Sequence, residues 1–259
     1  MNRSYALIGV EGPQDQAFVG KVLKLLGFQS FKGQQSELEP FWRNFIPPYP
    51  RQGNLYKRLD MPSILWNDTL SVAIYSGEGS KLGSNVKATF ANHPEYKTDI
   101  AAFGIVADSD KKQPDTVARD YCQQFQKDFP GFPNQAGWWQ QGPPRTGIYV
   151  LPDNQQQGVL DNLLCECGNV VYPELMNGGL AYLNGLSEEH KNHWGPFDDK
   201  KALVATVASV LQPGHTNTVT IAQDDWVSEQ TQEVPALKNF IKFLKELLDI
   251  ELINDIKSG

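Results

Sequence analysis

The sequence predicts an α/β fold in which a central, mainly parallel sheet is flanked by helices. Three observations carry this. Short apolar runs of strand length recur at YALIGV (5–10), LSVAIY (70–75), IAAFGIVA (100–107) and GIYVL (147–151). Such continuous runs suit parallel strands buried on both faces. Segments with helical spacing of apolar residues alternate with them, which requires right-handed crossovers. Three of the four runs also end on carboxylates: Glu11, Asp108 with Asp110, and Asp153.

The first unit is β-turn-α: YALIGV, the turn EGPQD, then QAFVGKVLKLLGF, with Phe18, Val22, Leu25 and Leu26 on one face and a stop at Gly27. Residues 29–70 form an insertion rich in proline and aromatics, expected to pack on its own aromatic side chains. Tyr56, Lys57, Arg58 and Leu59 make a local basic spot in it. A second strand at Leu70–Tyr75 leads into a glycine-serine loop (76–83) and a helix over about 84–90. The third strand ends at Ala107, and DTVARDYCQQFQKDF is its helix. The loop 130–147 carries Trp138 and Trp139, expected to be half-buried. The fourth strand ends at Pro152-Asp153-Asn154, before the helical GVLDNLLCEC with Asp161 in its first turns.

The last third differs. HKNHWGPFDDKKALVATVASVL reads as loop then helix, and NTVTIA (217–222) as β-like. VPALKNFIKFLKELLDIELINDI is an amphipathic helix whose stripe is Leu237, Phe240, Ile241, Leu244, Leu247 and Leu248. One α/β domain over 1–210 is therefore expected, with a C-terminal strand and helix (211–259) packed on it.

Composition narrows the function classes. A chain of 259 residues, 40% hydrophobic, has enough apolar content for a large core. A net charge of -7 excludes binding to nucleic acid through a uniformly basic surface, though not through a local groove or metal-assisted phosphate contact. The three cysteines, Cys122, Cys165 and Cys167, fit neither a disulfide framework nor zinc spacing. The apolar run before Glu11 is too short for a signal-peptide core, and no stretch reaches membrane-spanning length. A cytoplasmic protein without membrane contact is expected.

The carboxylates suggest the chemistry. In open parallel sheets, ligands bind beyond the carboxyl ends of the strands. Residues two apart on an extended segment point the same way, so Asp108 and Asp110 are expected to aim at one point, with Glu11 joining from a neighbouring strand. Clustered carboxylates raise one another's pKa unless a cation lies between them. Mg²⁺ (or Mn²⁺) is the natural partner, being bound by oxygen ligands with water and substrate phosphate completing its shell. Asp153 and Asp161 are candidates for a second metal. Lys81 in the glycine-serine loop, and Lys200 or Lys201 in DDKKALVA, are candidates to neutralise a phosphate. A single Asp after a strand is more often a cap or turn residue; here the pattern recurs after separate strands.

The motifs GVEGPQDQAFV, with Glu11, Gly12 and Asp15, and IVADSD, with Asp108 and Asp110, resemble a Toprim domain. This metal-binding module is shared by topoisomerases, primases, and nucleases of the overcoming-lysogenization-defect and RecR-like groups. GIYVLPDNQQQGVLDNLL resembles the matching segment of an uncharacterised, mostly prokaryotic Toprim-like family. The resemblance spans roughly residues 4–210. It implies that Glu11 is a general acid/base or metal ligand, that Asp108 and Asp110 hold Mg²⁺, and that Asp153 and Asp161 serve a second metal. Relatives carry Glu where this chain has Asp161, one methylene shorter. Residues 76–83 lack the spacing of an ATPase phosphate loop, so any ATPase partner is a separate protein.

Three functions fit the pattern. The first is a Mg²⁺-dependent phosphodiesterase or nuclease on DNA or RNA, with Glu11 and Asp108 as catalytic residues. The second is a non-catalytic Toprim-like binding or scaffold module in a defence or repair system. The third is a phosphatase using Asp108 as nucleophile.

Overall fold

The structure is a computed structural model and describes residues 3–46 and 62–250. The basic spot at Tyr56–Leu59 lies outside the described residues. In chain order the strands are β1 (Ser4–Val10), β2 (Gln29–Ser30), β3 (Ser63–Trp66), β4 (Leu70–Ser76), β5 (Ala102–Asp108), β6 (Trp139–Gln140) and β7 (Arg145–Leu151). The helices are α1 (Pro13–Leu25), α2 (Pro40–Arg43), α3 (Leu82–Asn92), α4 (Glu95–Thr98), α5 (Pro114–Phe125), α6 (Leu160–Val171), α7 (Pro173–Asn184), α8 (Glu188–Lys191), α9 (Asp198–Leu211), α10 (Asn217–Gln223) and α11 (Pro235–Leu248). Proline opens α1, α2, α5, α7 and α11, where its fixed φ suits the first turn and its missing N–H goes unmissed.

Among the described residues the sheet has the order β2-β3-β4-β1-β5-β7-β6. Its centre, β4-β1-β5-β7, is parallel; the edges, β2-β3-β4 and β6-β7, are antiparallel. The fold is α/β and Rossmann-like. Alternation along the strands divides the core in two. Ala6, Ile8 and Val10 of β1, with Tyr149 and Leu151 of β7, pack in the layer that holds α1, α6, α9 and α11. Leu7, Ile105, Ile148 and Val150 face the opposite layer, that of α3 and α5.

Helix α11 docks by the stripe expected from its sequence: Leu237, Phe240, Leu244 and Leu247 are fully buried, and only Ile241 is at the margin. It lies close to the sheet because β5 and β7 present glycines there. A Cβ at Gly104 would come within 2.6 Å of Leu247, and one at Gly147 within 3.0 Å of both Leu247 and Phe243.

Three expectations are corrected. NTVTIA is not a strand but α10, packed against α1 and α9 with Thr220 and Ile221 buried. Its Thr and Val content favours a strand, but its neighbours here are helices, and packing overrides propensity. The insertion does not fold on its own aromatics alone. Trp42 stacks on Tyr96, Phe41 stacks on Tyr5 of β1, and the Trp42 indole N–H donates to Ser71 of β4 at 3.0 Å. Trp138 is 62% exposed, whereas Trp139 is half-buried in β6 and donates to Glu246.

Candidate active site at the ends of β1 and β5

Strands β1 and β5 are parallel neighbours, with Val10 opposite Val106. Helix α1 leaves β1 toward one face of the sheet, and α5 leaves β5 toward the other. This is the switch point at which open α/β sheets form a crevice. Glu11 and Asp108 stand at its two sides.

The turn after β1 is held by backbone bonds from Gly77 N–H to the Val10 carbonyl and from Gly79 N–H to the Glu11 carbonyl. Asp15, in the first turn of α1, is buried and accepts the Gly12 N–H at 2.8 Å. That bond fixes the turn and brings a second carboxylate beneath Glu11. From α5, the Tyr121 hydroxyl donates to Glu11 Oε1 at 3.5 Å.

Across the crevice, Asp108 Oδ1 accepts the Leu160 N–H, at the start of α6, at 2.9 Å. Ser109 is buried and clamps the strand end to the 152–158 turn. Its hydroxyl accepts the Gly158 N–H at 2.7 Å and faces the carbonyls of Gln156 and Gly158. The extended path stops there. Asp110 has left-handed backbone (φ 48°) and bridges to Gly158, so Asp108 and Asp110 do not lie on one extended segment as the sequence suggested. Asp110 is exposed, yet its charge still reaches Glu11.

Burial and mutual repulsion raise these carboxylates. Glu11 is pushed up to about 7, first by burial, then by the charges of Asp15 and Asp110; the Tyr121 hydroxyl and the Asp108 backbone N–H oppose this. Asp108 is held well above the ordinary range by burial, with Asp15 and Glu11 adding repulsion. Asp15 is raised by burial and by Asp161, against the Gly12 N–H. Tyr121 is raised as well, by burial and then by the Glu11 charge.

The remaining sequence candidates divide. Asp161, in the first turn of α6, is buried beside the crevice; burial raises it and Lys201 opposes that rise. Asp153 lies apart from the cluster. Its Oδ1 accepts the backbone N–H groups of Gln155 and Gln156, and its Oδ2 accepts the Gln156 side-chain amide, so it closes a turn. The titratable neighbours its charge reaches are Tyr149 and Glu166. Lys81 pairs with Glu78, and Lys200 with its neighbour Asp199. Of the two adjacent lysines it is Lys201 that lines a cleft of about 400 Å³ with Asp15, Asp108 and Asp161.

The donor set at the crevice is all oxygen, as a hard cation needs. Among the described residues no three His, Cys, Asp or Glu side chains already converge closely enough to hold a metal ion. Mg²⁺ is commonly held by one or two carboxylates, with waters and substrate oxygens completing its shell. Glu11 and Asp108 on facing walls, with Asp110 at the rim, fit that mode.

The comparisons with known proteins are silent on chemistry. The family model described as "Protein of unknown function (DUF3226)" matches residues 5–249. The chain belongs to this family. Among solved structures it is similar to a hypothetical protein from Pyrococcus horikoshii OT3, with a TM-score of 0.49 and 16% identity over 95% of each chain. No curated protein matches it. Among the described residues no helix is long and apolar enough to cross a membrane.

In this DUF3226 chain Asp15 stands in the GVEGPQD motif without being marked there as a site residue, and nothing in the local sequence marks Tyr121. Asp15 reads as an ordinary first-turn residue of a helix, and Tyr121 as one more apolar position on the buried stripe of α5. The signal available was the spacing of Asp15 from Glu11: four residues across a strand-to-helix turn bring both to one strand end.

Proposed function

We propose that this protein is a Mg²⁺-dependent phosphodiesterase of the Toprim kind that acts on nucleic acid. The observation that carries this reading is the pairing of Glu11 and Asp108 across the switch-point crevice, with buried Asp15 beside them and all three raised by burial and repulsion. Such an arrangement costs stability unless a cation enters it, and perturbed acids grouped beside a cleft mark a candidate functional site.

Asp108 and Asp110 would hold the metal, with waters and substrate oxygens completing its shell. When bound, it would polarise the phosphoryl oxygen and acidify water. The chain's own groups supply the rest. Glu11, near neutrality, can exchange a proton with the attacking water or the leaving oxygen at physiological pH. Tyr121 holds one oxygen of Glu11 and leaves the other for that exchange. The Leu160 N–H fixes Asp108, and Ser109 fixes the loop that carries Asp110.

The test is Mg²⁺- or Mn²⁺-dependent cleavage of plasmid and single-stranded oligonucleotides, paired with calorimetric metal titration. Glu11→Gln and Asp108→Asn are expected to abolish cleavage. Activity that survives both substitutions overturns the reading. Metal binding without cleavage of any nucleic acid favours the binding-module alternative.

A further inference from the structure

The crevice opens on one side into the cleft of about 400 Å³, walled by Gln14 and Asp15 from α1, Asp161 from α6, Lys201 from α9, and Asn217 and Thr218 from α10. Asp161 is 4% exposed, and its Oδ1 has no hydrogen-bond partner among the described residues. A buried carboxylate oxygen without a donor is costly, and such orphans in native structures point to an unseen partner. Asp161 directly follows Leu160, whose N–H binds Asp108. The orphan oxygen therefore belongs to the residue next to the group that would face the phosphate.

The donor that fits here is neutral. Lys201 already acts on Asp161, so a ligand ammonium would meet a like charge. A hydroxyl meets none, and a carboxylate oxygen accepts it well. In a 3′–5′ phosphodiester the 2′-hydroxyl of ribose sits on the carbon next to the one bearing phosphate, and Asp161 and Asp108 line the same cleft. The cleft is of a size for one small ligand or one nucleoside, not a duplex. Acidic side chains meet ribose hydroxyls in this way at other α/β switch points, and the 2′-hydroxyl is what distinguishes RNA from DNA at a protein site.

We propose that this cleft receives the ribose of a single-stranded ribonucleotide, with its 2′-hydroxyl donating to Asp161, so that the substrate is RNA. This rests on the phosphodiesterase reading above.

The experiment measures binding of fluorescein-labelled oligouridylate, its 2′-deoxy counterpart and its 2′-O-methyl counterpart to the full chain, with Ca²⁺ replacing Mg²⁺. The wild type is expected to bind the ribo form about tenfold tighter than either analogue. Asp161→Ala should lose that preference by weakening the ribo form alone. The 2′-O-methyl arm keeps the oxygen but removes the donor, so it tests the contact without any change to the protein. Equal binding of all three by the wild type overturns the inference, as does a preference retained in Asp161→Ala. A Mn²⁺ stoichiometry that falls by one in Asp161→Ala, with sugar preference unchanged, makes Asp161 a metal ligand instead and overturns it. Glu11-dependent cleavage of RNA and DNA at equal rates would sink the ribose assignment and leave the phosphodiesterase reading standing. Failure to bind any oligonucleotide, with no cleavage, would end both.

Discussion

Strands β5 and β7 are neighbours in one sheet, and each runs into an aspartate, yet the two carboxylates have different fates. Asp108 is carried over the switch point, accepts one helix N–H and is raised by burial and by acidic neighbours. Asp153 accepts two backbone N–H groups and a side-chain amide in a surface turn. A satisfied Asp stabilises its turn; a crowded, half-satisfied one is held in place by the fold at a cost. The contrast teaches that a carboxylate at a strand end is a site residue when neighbouring elements deliver other acids to it, and a turn residue when its own loop satisfies it.

The largest expected effect lies on activity. Glu11→Gln and Asp108→Asn should each reduce Mg²⁺-dependent phosphodiester cleavage by about 100-fold or more, whereas Asp153→Asn should stay within about twofold, measured on one labelled oligonucleotide. An equal loss in Asp153→Asn would erase the contrast. The two lysines come next. Lys201→Ala should lower the rate by about tenfold, as expected for loss of a transition-state cation. Lys200→Ala, which removes a partner of Asp199, should leave it unchanged.

Stability should move in the opposite sense to activity. Asp153→Ala should lose about 1 kcal/mol as its turn bonds go, a fall in Tm of about 2–4 °C. Asp108→Asn should raise the Tm of the metal-free protein, because a neutral amide relieves burial and repulsion while still accepting the Leu160 N–H. Calorimetry without divalent cations would show both.

The smallest effect is a slope with pH. Glu11 ionises at about 7 in the folded chain against an ordinary 4.5. Its contribution to stability is complete below about pH 4.5 and is lost as pH rises through 7. The Tm of the metal-free protein should therefore fall between pH 5 and about 8, and Glu11→Gln should make that fall shallower, with Asp15 and Asp108 carrying the rest. A Tm that rises over this interval in the wild type would mean that Glu11 is satisfied rather than crowded.

Much of the fold was legible because the parallel strands are buried on both faces and so read as apolar runs, while α1, α5 and α11 carry helical stripes. Segments whose partners lie far away in sequence were not. NTVTIA has a strand's composition and becomes α10 because α1 and α9 are what it packs against. Within the candidate site, Glu11 and Asp108 stood out because each abruptly ends an apolar run. Asp15 and Tyr121 did not, since each sits in a helical pattern that has an ordinary structural use.

By itself, the sequence determined the alternation of strand and helix, the docking stripe of α11 and the carboxylates at three strand ends, all set by the local order of apolar and polar residues. Only the tertiary structure decided which of those ends meet. Placing β1 beside β5, with their helices leaving to opposite faces, brings Glu11, Asp15 and Asp108 into one crevice. The turn after β7 satisfies Asp153 locally, and the start of α6 leaves one buried oxygen of Asp161 without a donor. Strand order and burial fix those outcomes, and both depend on contacts between residues far apart in sequence, such as Val10 beside Val106 and Leu160 on Asp108.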